Sequence, residues 1–186
     1  MRSAKIIVTG PVRAGTTTLI RSLSEIAVLS TERKLDRREG GGQREATVAL
    51  DFGRVTITPN LVLYLFGTPG EEPESLGCGP LAEGSIGVIL VVDASRTPSV
   101  TNAAEIVQFL QDNSDVPYVI GANRLPQGDE GRVASLRKAL KAPSWIPIVP
   151  CEVTERESSK RVVLALLDRI LDTMPPGPSV ADVEAE

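Results

Sequence analysis

The chain has 186 residues, 41% hydrophobic and 24% charged, with a formal net charge of -4. That is enough for one α/β domain with a full core, and it lacks both the bias of a disordered chain and the basic footprint of a nucleic-acid binder. It contains no histidine and only two cysteines, Cys78 and Cys151, which removes Ser-His-Asp and Cys-His nucleophile pairs, histidine-based metal motifs, disulfide frameworks and zinc sites.

Residues 5–9 (KIIVT) form a short β-branched run that meets a glycine-rich turn, after which Leu19, Ile20, Leu23, Ile26 and Ala27 recur at helical spacing. The opening unit is therefore strand, loop, helix. The N-terminus MRSAKIIVTGP passes straight into this strand rather than into a signal peptide. No run approaches the roughly eighteen apolar residues of a membrane helix, so a cytoplasmic protein with reduced thiols and no nucleic-acid partner is expected. Residues 30–45 are charged, carry Gly40-Gly41-Gly42 and have almost no apolar content, which predicts a mobile loop.

Residues 47–52 and 55–58 read as strands, and Pro59-Asn60 marks a tight turn before the apolar strand 61–66 (LVLYLF), together an antiparallel hairpin. Residues 67–84 have the Gly, Pro and Glu content of a loop, and 87–92 (GVILVV) supply a buried strand followed by Asp93. Ala103, Ile106, Val107 and Leu110 mark a helix face, 116–121 the next strand with Pro117 near its start, 133–140 another helix and 145–149 a further strand. Val162, Val163, Leu166, Leu167, Ile170 and Leu171 give a last amphipathic helix. The predicted fold is α/β: a three-layer P-loop NTPase architecture with a mostly parallel sheet and one antiparallel edge pair, spanning residues 1–174 as one domain. Residues 175–186, Pro-rich and then acidic, are expected to fray.

Gly10-Pro11-Val12-Arg13-Ala14-Gly15-Thr16-Thr17, with Thr18 following, sits where strand meets helix and matches the phosphate-binding pattern G-x-x-x-x-G-K-S/T at every fixed position but one. In that pattern the glycines let backbone N–H groups converge on phosphate at a helix N-terminus, the lysine neutralises the outer phosphates and the hydroxyl ligates magnesium. Here Thr16 stands at the lysine position and Thr17 keeps the metal-binding hydroxyl. A charged hydrogen bond contributes roughly 1.5–3 kcal/mol, so this one change weakens phosphate binding about ten- to a hundred-fold. Arg13 is a candidate for the missing charge, against the plainer reading of a solvent-facing arginine.

With this loop in place, the chain over nearly all of residues 4–174 resembles the bacterial Ras-like small GTPases of the MglA and conservon type. Thr47, ahead of Val48-Ala49-Leu50-Asp51-Phe52-Gly53, resembles the switch I threonine, which implies a magnesium ligand beside Thr17. Gly67-Thr68-Pro69-Gly70-Glu71-Glu72 resembles the switch II motif D-x-x-G-Q-E. Asn123-Arg124-Leu125-Pro126 resembles the base-reading N-K-x-D, and Cys151-Glu152-Val153 the last guanine-contacting loop. The resemblance implies GTP or GDP with Mg2+, bound at residues 10–18, Gly70, Asn123, Arg124, Cys151, Glu152 and Val153, and a roadblock-domain protein as partner.

The departures fall on the residues that carry the chemistry. Gly67 replaces the aspartate that holds magnesium through water, and Glu71 replaces the glutamine that orients the attacking water, where a carboxylate repels the γ-phosphate. Pro126 replaces the guanine-reading aspartate, with Asp129 an unaligned substitute. With Thr16 these make four changes. At even about 1.5 kcal/mol each, four such changes together exceed about 5 kcal/mol, enough to turn nanomolar binding into micromolar or weaker. Two readings follow: a degenerate family member that acts through partner binding with weak or absent hydrolysis, or a GTP/GDP switch that draws charge from Arg13 or from the basic cluster Arg33, Lys34, Arg37 and Arg38. Only the loss of the guanine-reading aspartate suggests a third, an adenine nucleotide.

Overall fold

The computed structural model describes residues 2–39, 42–68 and 83–173, and of residues 31–49 the backbone alone. The chain runs β1 (Arg2–Thr9), α1 (Thr16–Leu23), β2 (Leu29–Glu39), β3 (Gly42–Thr58), β4 (Leu61–Gly67), β5 (Ser85–Asp93), α2 (Thr97–Asn113), β6 (Tyr118–Asn123), α3 (Glu130–Leu140), β7 (Ile148–Cys151) and α4 (Arg156–Thr173). The strands form a seven-stranded sheet in the order β2-β3-β4-β1-β5-β6-β7. β1, β4, β5, β6 and β7 are mutually parallel, while β3 runs against both of its neighbours, β2 and β4.

Strand periodicity decides how this sheet is covered, because successive side chains leave opposite faces. In β5, Val88, Leu90 and Val92 pack with Ile106, Val107 and Leu110 of α2 and with Leu136 and Leu140 of α3. The alternate residues Ile89 and Val91 pack with Leu19, Ile20 and Leu23 of α1 and with Val162, Val163 and Leu166 of α4. Both faces are thus buried under helices, which is why the parallel strands read as continuous apolar runs, and the fold is the three-layer α/β arrangement of P-loop nucleotide-binding proteins. No helix among the described residues is long and apolar enough to cross a membrane.

Four expectations change. Residues 30–45, expected to be loop, lie in β2 and the start of β3, paired from Leu29 with Phe52 to Glu39 with Gly42. An edge strand takes its order from ladder hydrogen bonds and has no need of apolar side chains, so composition alone misjudged it. The two strands expected at 47–52 and 55–58 are one continuous β3. The first helix stops at Leu23, because the Ser24 hydroxyl donates to the Ile26 carbonyl and accepts from the Ile26 and Arg54 N–H groups; Ile26 and Ala27 lie exposed beyond it. Leu171, assigned to the apolar face of the last helix, is 66% exposed at its end. The tail beyond residue 174 lies outside the described residues.

Candidate functional site

Five parallel strands deliver their C-terminal ends to one edge of the sheet, the place where an open α/β sheet has a crevice. The segment between β1 and α1 turns tightly there. The Ala14 N–H donates to the Pro11 carbonyl at 2.9 Å, Arg13 takes φ 65°, and Gly15 takes φ 111° as the residue before α1. Gly15 is required twice over, by this left-handed backbone and by crowding, since a Cβ would stand 2.8 Å from Asn123 Nδ2 and 2.9 Å from Val153 Cγ2. The first turn of α1 carries no acidic residue of its own, and Thr16, Thr17 and Thr18 line the cleft, the position at a helix N-terminus where anions are held.

The cleft holds about 450 Å³ and is lined by Gly10, Pro11, Val12, Arg13, Ala14, Gly15, Thr16, Thr17 and Thr18, with Asp51, Gly67, Thr68, Asn123, Arg124, Glu152, Val153 and Thr154. The structure therefore brings together nearly all the residues assigned to nucleotide binding. Cys151 stays outside this cleft, buried at 3% exposure with its thiol pushed up to about 12 by burial, so it is no nucleophile at neutral pH. Thr47 lies in β3 in register with Lys34, but its side chain, like those of Arg33, Lys34, Arg37 and Arg38, lies outside the described residues, as do Gly70 and Glu71.

Asn123 binds the two halves of the cleft. At 3% exposure, its Nδ2 donates to the Ala14 carbonyl at 2.9 Å and its Oδ1 accepts from the Val153 N–H at 3.3 Å. Asn123→Ala strands both backbone groups, and a loss of ~2–4 kcal/mol is expected in urea unfolding; a loss below about 1 kcal/mol would show that the phosphate loop stands without this bridge. Arg124, held at φ 61°, gives Nη1 to Asp93 Oδ2 at 2.7 Å, while the other oxygen of the fully buried Asp93 accepts from the N–H and hydroxyl of Ser95. One nitrogen of its guanidinium is thus paired, and the side chain stays 54% exposed at the cleft. Asp129, the substitute considered for Pro126, caps α3 by accepting from the Arg132 N–H at 3.0 Å and borders a different cavity; it is not available to the cleft.

The residue missed in the sequence is Asp51. Register places it on β3 opposite Gly67 of β4, and its carboxylate, 9% exposed, accepts from the Thr17 hydroxyl at 2.5 Å and from the Ser30 hydroxyl at 2.6 Å. A Cβ on Gly67 would stand 3.0 Å from Asp51 Cβ and 2.7 Å from Ile20 Cδ1. The pair is complementary: glycine on one strand makes room for the carboxylate on the next. A carboxylate thus stands beside Thr17 although position 67 carries none. Thr17 and Asp51 present the hard oxygen donors that magnesium takes, and the adjoining Thr68 hydroxyl, 4% exposed, lacks a partner among the described residues, which also fits a polar ligand.

Fold and cleft together define a P-loop nucleotide-binding architecture. Over 143 residues the chain is 24% identical to elongation factor 4 of Parasynechococcus marenigrum (strain WH8102), covering 75% of this chain and 24% of that protein. It is 25% identical, with the same coverage, to the translation factor GUF1 homolog of the organellar chromatophore of Paulinella chromatophora, and 24% identical to elongation factor 4 of Prochlorococcus marinus (strain MIT 9303). The chain spans about a quarter of the length of these curated relatives. No protein-family profile matches it.

Proposed function

We propose that this chain is a Ras-like nucleotide-binding protein of the MglA and conservon type whose site holds GTP or GDP weakly, hydrolyses GTP slowly or not at all, and acts by binding a protein partner. One observation carries this reading: among the described residues the cleft keeps the backbone shape of a phosphate cradle without the lysine that such a cradle holds. No lysine lines it, Arg13 is exposed, and Arg124 is paired with Asp93. The motif order and the likeness to translation factors support a guanine nucleotide. Thr17 and Asp51 would hold Mg2+, which supplies the charge that neutralises phosphate oxygens. Around it the residues of this chain would bind and orient: the N–H groups before and within α1 would take the phosphates, Asn123 ties the phosphate loop to the loop after β7, and Arg124 would stand beside the base. The partner surface is the pair of segments around Thr47 and residues 67–84, and the partner class is a roadblock-domain protein.

Freshly purified protein tests the first part. Extracted nucleotide well below one equivalent is expected, and a full equivalent of GDP would overturn it. Co-expression with a roadblock-domain protein tests the second, with co-elution independent of nucleotide expected and separate elution counting against it. A second reading, a GTP/GDP switch with slow turnover, is favoured by the Thr17–Asp51 pair, which keeps a metal site alive. Nanomolar GDP affinity that depends on magnesium would select it.

A further inference from the structure

The cleft has two ends. Residues 10–18 and the start of α1 make the phosphate end, and Asn123, Arg124, Glu152, Val153 and Thr154 make the other, where a nucleotide with its phosphates on the loop would put its base. Among the described residues four charged side chains line the cleft, those of Arg13, Asp51, Arg124 and Glu152. Asp51 is held at the phosphate end by Thr17 and Ser30, Arg13 belongs to the phosphate loop, and Arg124 is paired with Asp93. That leaves Glu152 as the unpaired charge at the base end.

Glu152 directly follows β7, is half-buried, and is fixed through its backbone. Its N–H donates to Ser158 Oγ at 2.9 Å, and its carbonyl accepts from the Glu155 N–H at 3.0 Å. The side chain is fixed as well, since Oε1 accepts from the Thr154 hydroxyl at 2.8 Å and from the Thr154 N–H at 3.4 Å. Oε2 makes no hydrogen bond, and among the described residues no cation stands within ion-pair distance of the carboxylate. A carboxylate accepts and never donates, so a half-buried one with a free oxygen calls for an N–H or O–H across the cleft. The adjoining depression of about 500 Å³, bordered by Pro126, shares only Arg124 and Glu152 with the cleft. Glu152 is therefore the acceptor side chain common to both.

The edges of the nucleobases decide which of them this suits. An exocyclic amino group brings an N–H donor, whereas an oxo group in its place sets oxygen against oxygen. One free oxygen needs only one such donor. We propose, on the reading that the cleft holds a nucleotide, that Glu152 selects the base: Oε2 accepts from an exocyclic amino group, so the site takes amino-bearing bases and disfavours those with hydrogen or oxygen there. Adenine carries an amino group too, so this contact alone does not part GTP from ATP.

GDP, IDP and XDP test this, because their purines carry an amino group, a hydrogen and an oxygen at the 2-position. Calorimetry on the full chain with magnesium is expected to find GDP at least about fivefold tighter than IDP, with XDP weaker still. Glu152→Gln keeps an oxygen for Thr154 and removes the charge, and the preference for GDP over IDP is expected to shrink to about twofold or less. Thr154→Val, at an exposed position, leaves the charge and frees the side chain, and is expected to shrink it as well. Magnesium pyrophosphate has no base and is expected to bind wild type and both variants alike. The proposal is overturned if IDP or XDP binds wild type as tightly as GDP, or if the preference survives in Glu152→Gln shown folded by its thermal melt. Pyrophosphate keeps the two readings apart: binding of pyrophosphate with no preference among the three nucleotides removes the role of Glu152 alone, whereas a protein that binds none of the four ligands removes the nucleotide, and that role with it.

Discussion

Thr16→Lys combined with Pro126→Asp is expected to raise GTP affinity by about 3–6 kcal/mol, since each change adds one charged hydrogen bond of roughly 1.5–3 kcal/mol. The two positions act at opposite ends of the ligand. Thr16 begins α1 at the phosphate side. Pro126 is exposed in a depression that shares Arg124 and Glu152 with the main cleft. Without shared partners the effects add, so calorimetry with GTP and magnesium should find each single variant near half of the total. Selectivity is expected to appear as well: Pro126→Asp alone should separate GTP from ATP, where the unmodified protein discriminates little. If neither affinity nor selectivity moved, weakness in the cleft would have to lie elsewhere than in its missing charges.

The second large effect is expected at Asp51. Asp51→Asn keeps the volume and one acceptor for the Thr17 and Ser30 hydroxyls, yet removes the charge a divalent cation needs. The gain in GDP affinity on adding magnesium should therefore shrink about ten- to a hundred-fold, while affinity in its absence stays level or improves as a negative charge leaves the phosphate side. Ser30→Ala separates the metal role from the structural one, because it breaks only the bond between β2 and the carboxylate and should leave the magnesium dependence intact. An Asp51→Asn protein as responsive to magnesium as wild type would remove Asp51 from the metal site.

The phosphate loop was legible because its chemistry is local: glycines, a hydroxyl and the start of a helix lie within nine consecutive residues. The parallel core was legible too, since strands buried on both faces are continuously apolar. Asp51 was not, because its role depends on register across two strands. Counting back evenly from the Pro59-Asn60 turn, through Thr58 paired with Leu61, would set Asp51 opposite Thr68. An irregularity between Thr56 and Thr58 shifts the ladder by one and brings it opposite Gly67 instead, and a shift of one turns a side chain to the other face. Arg124 was half legible: it lines the cleft, but its engagement with Asp93 joins the ends of two neighbouring strands, which no spacing rule along the chain reveals. The edge strand β2 was misread for the converse reason, since its order comes from a partner strand and leaves no mark in hydrophobicity.

The closed pairing of Arg124 with Asp93 has a kinetic side. A polyanion diffusing toward this molecule meets a net charge of -4 and a mouth where Arg124, one of two arginines lining it, is already paired, so the attraction is weak and collisions proceed near the unsteered rate. Salt slows encounters that depend on attraction; here stopped-flow association of a fluorescent GTP analogue is expected to hold steady or quicken as ionic strength rises.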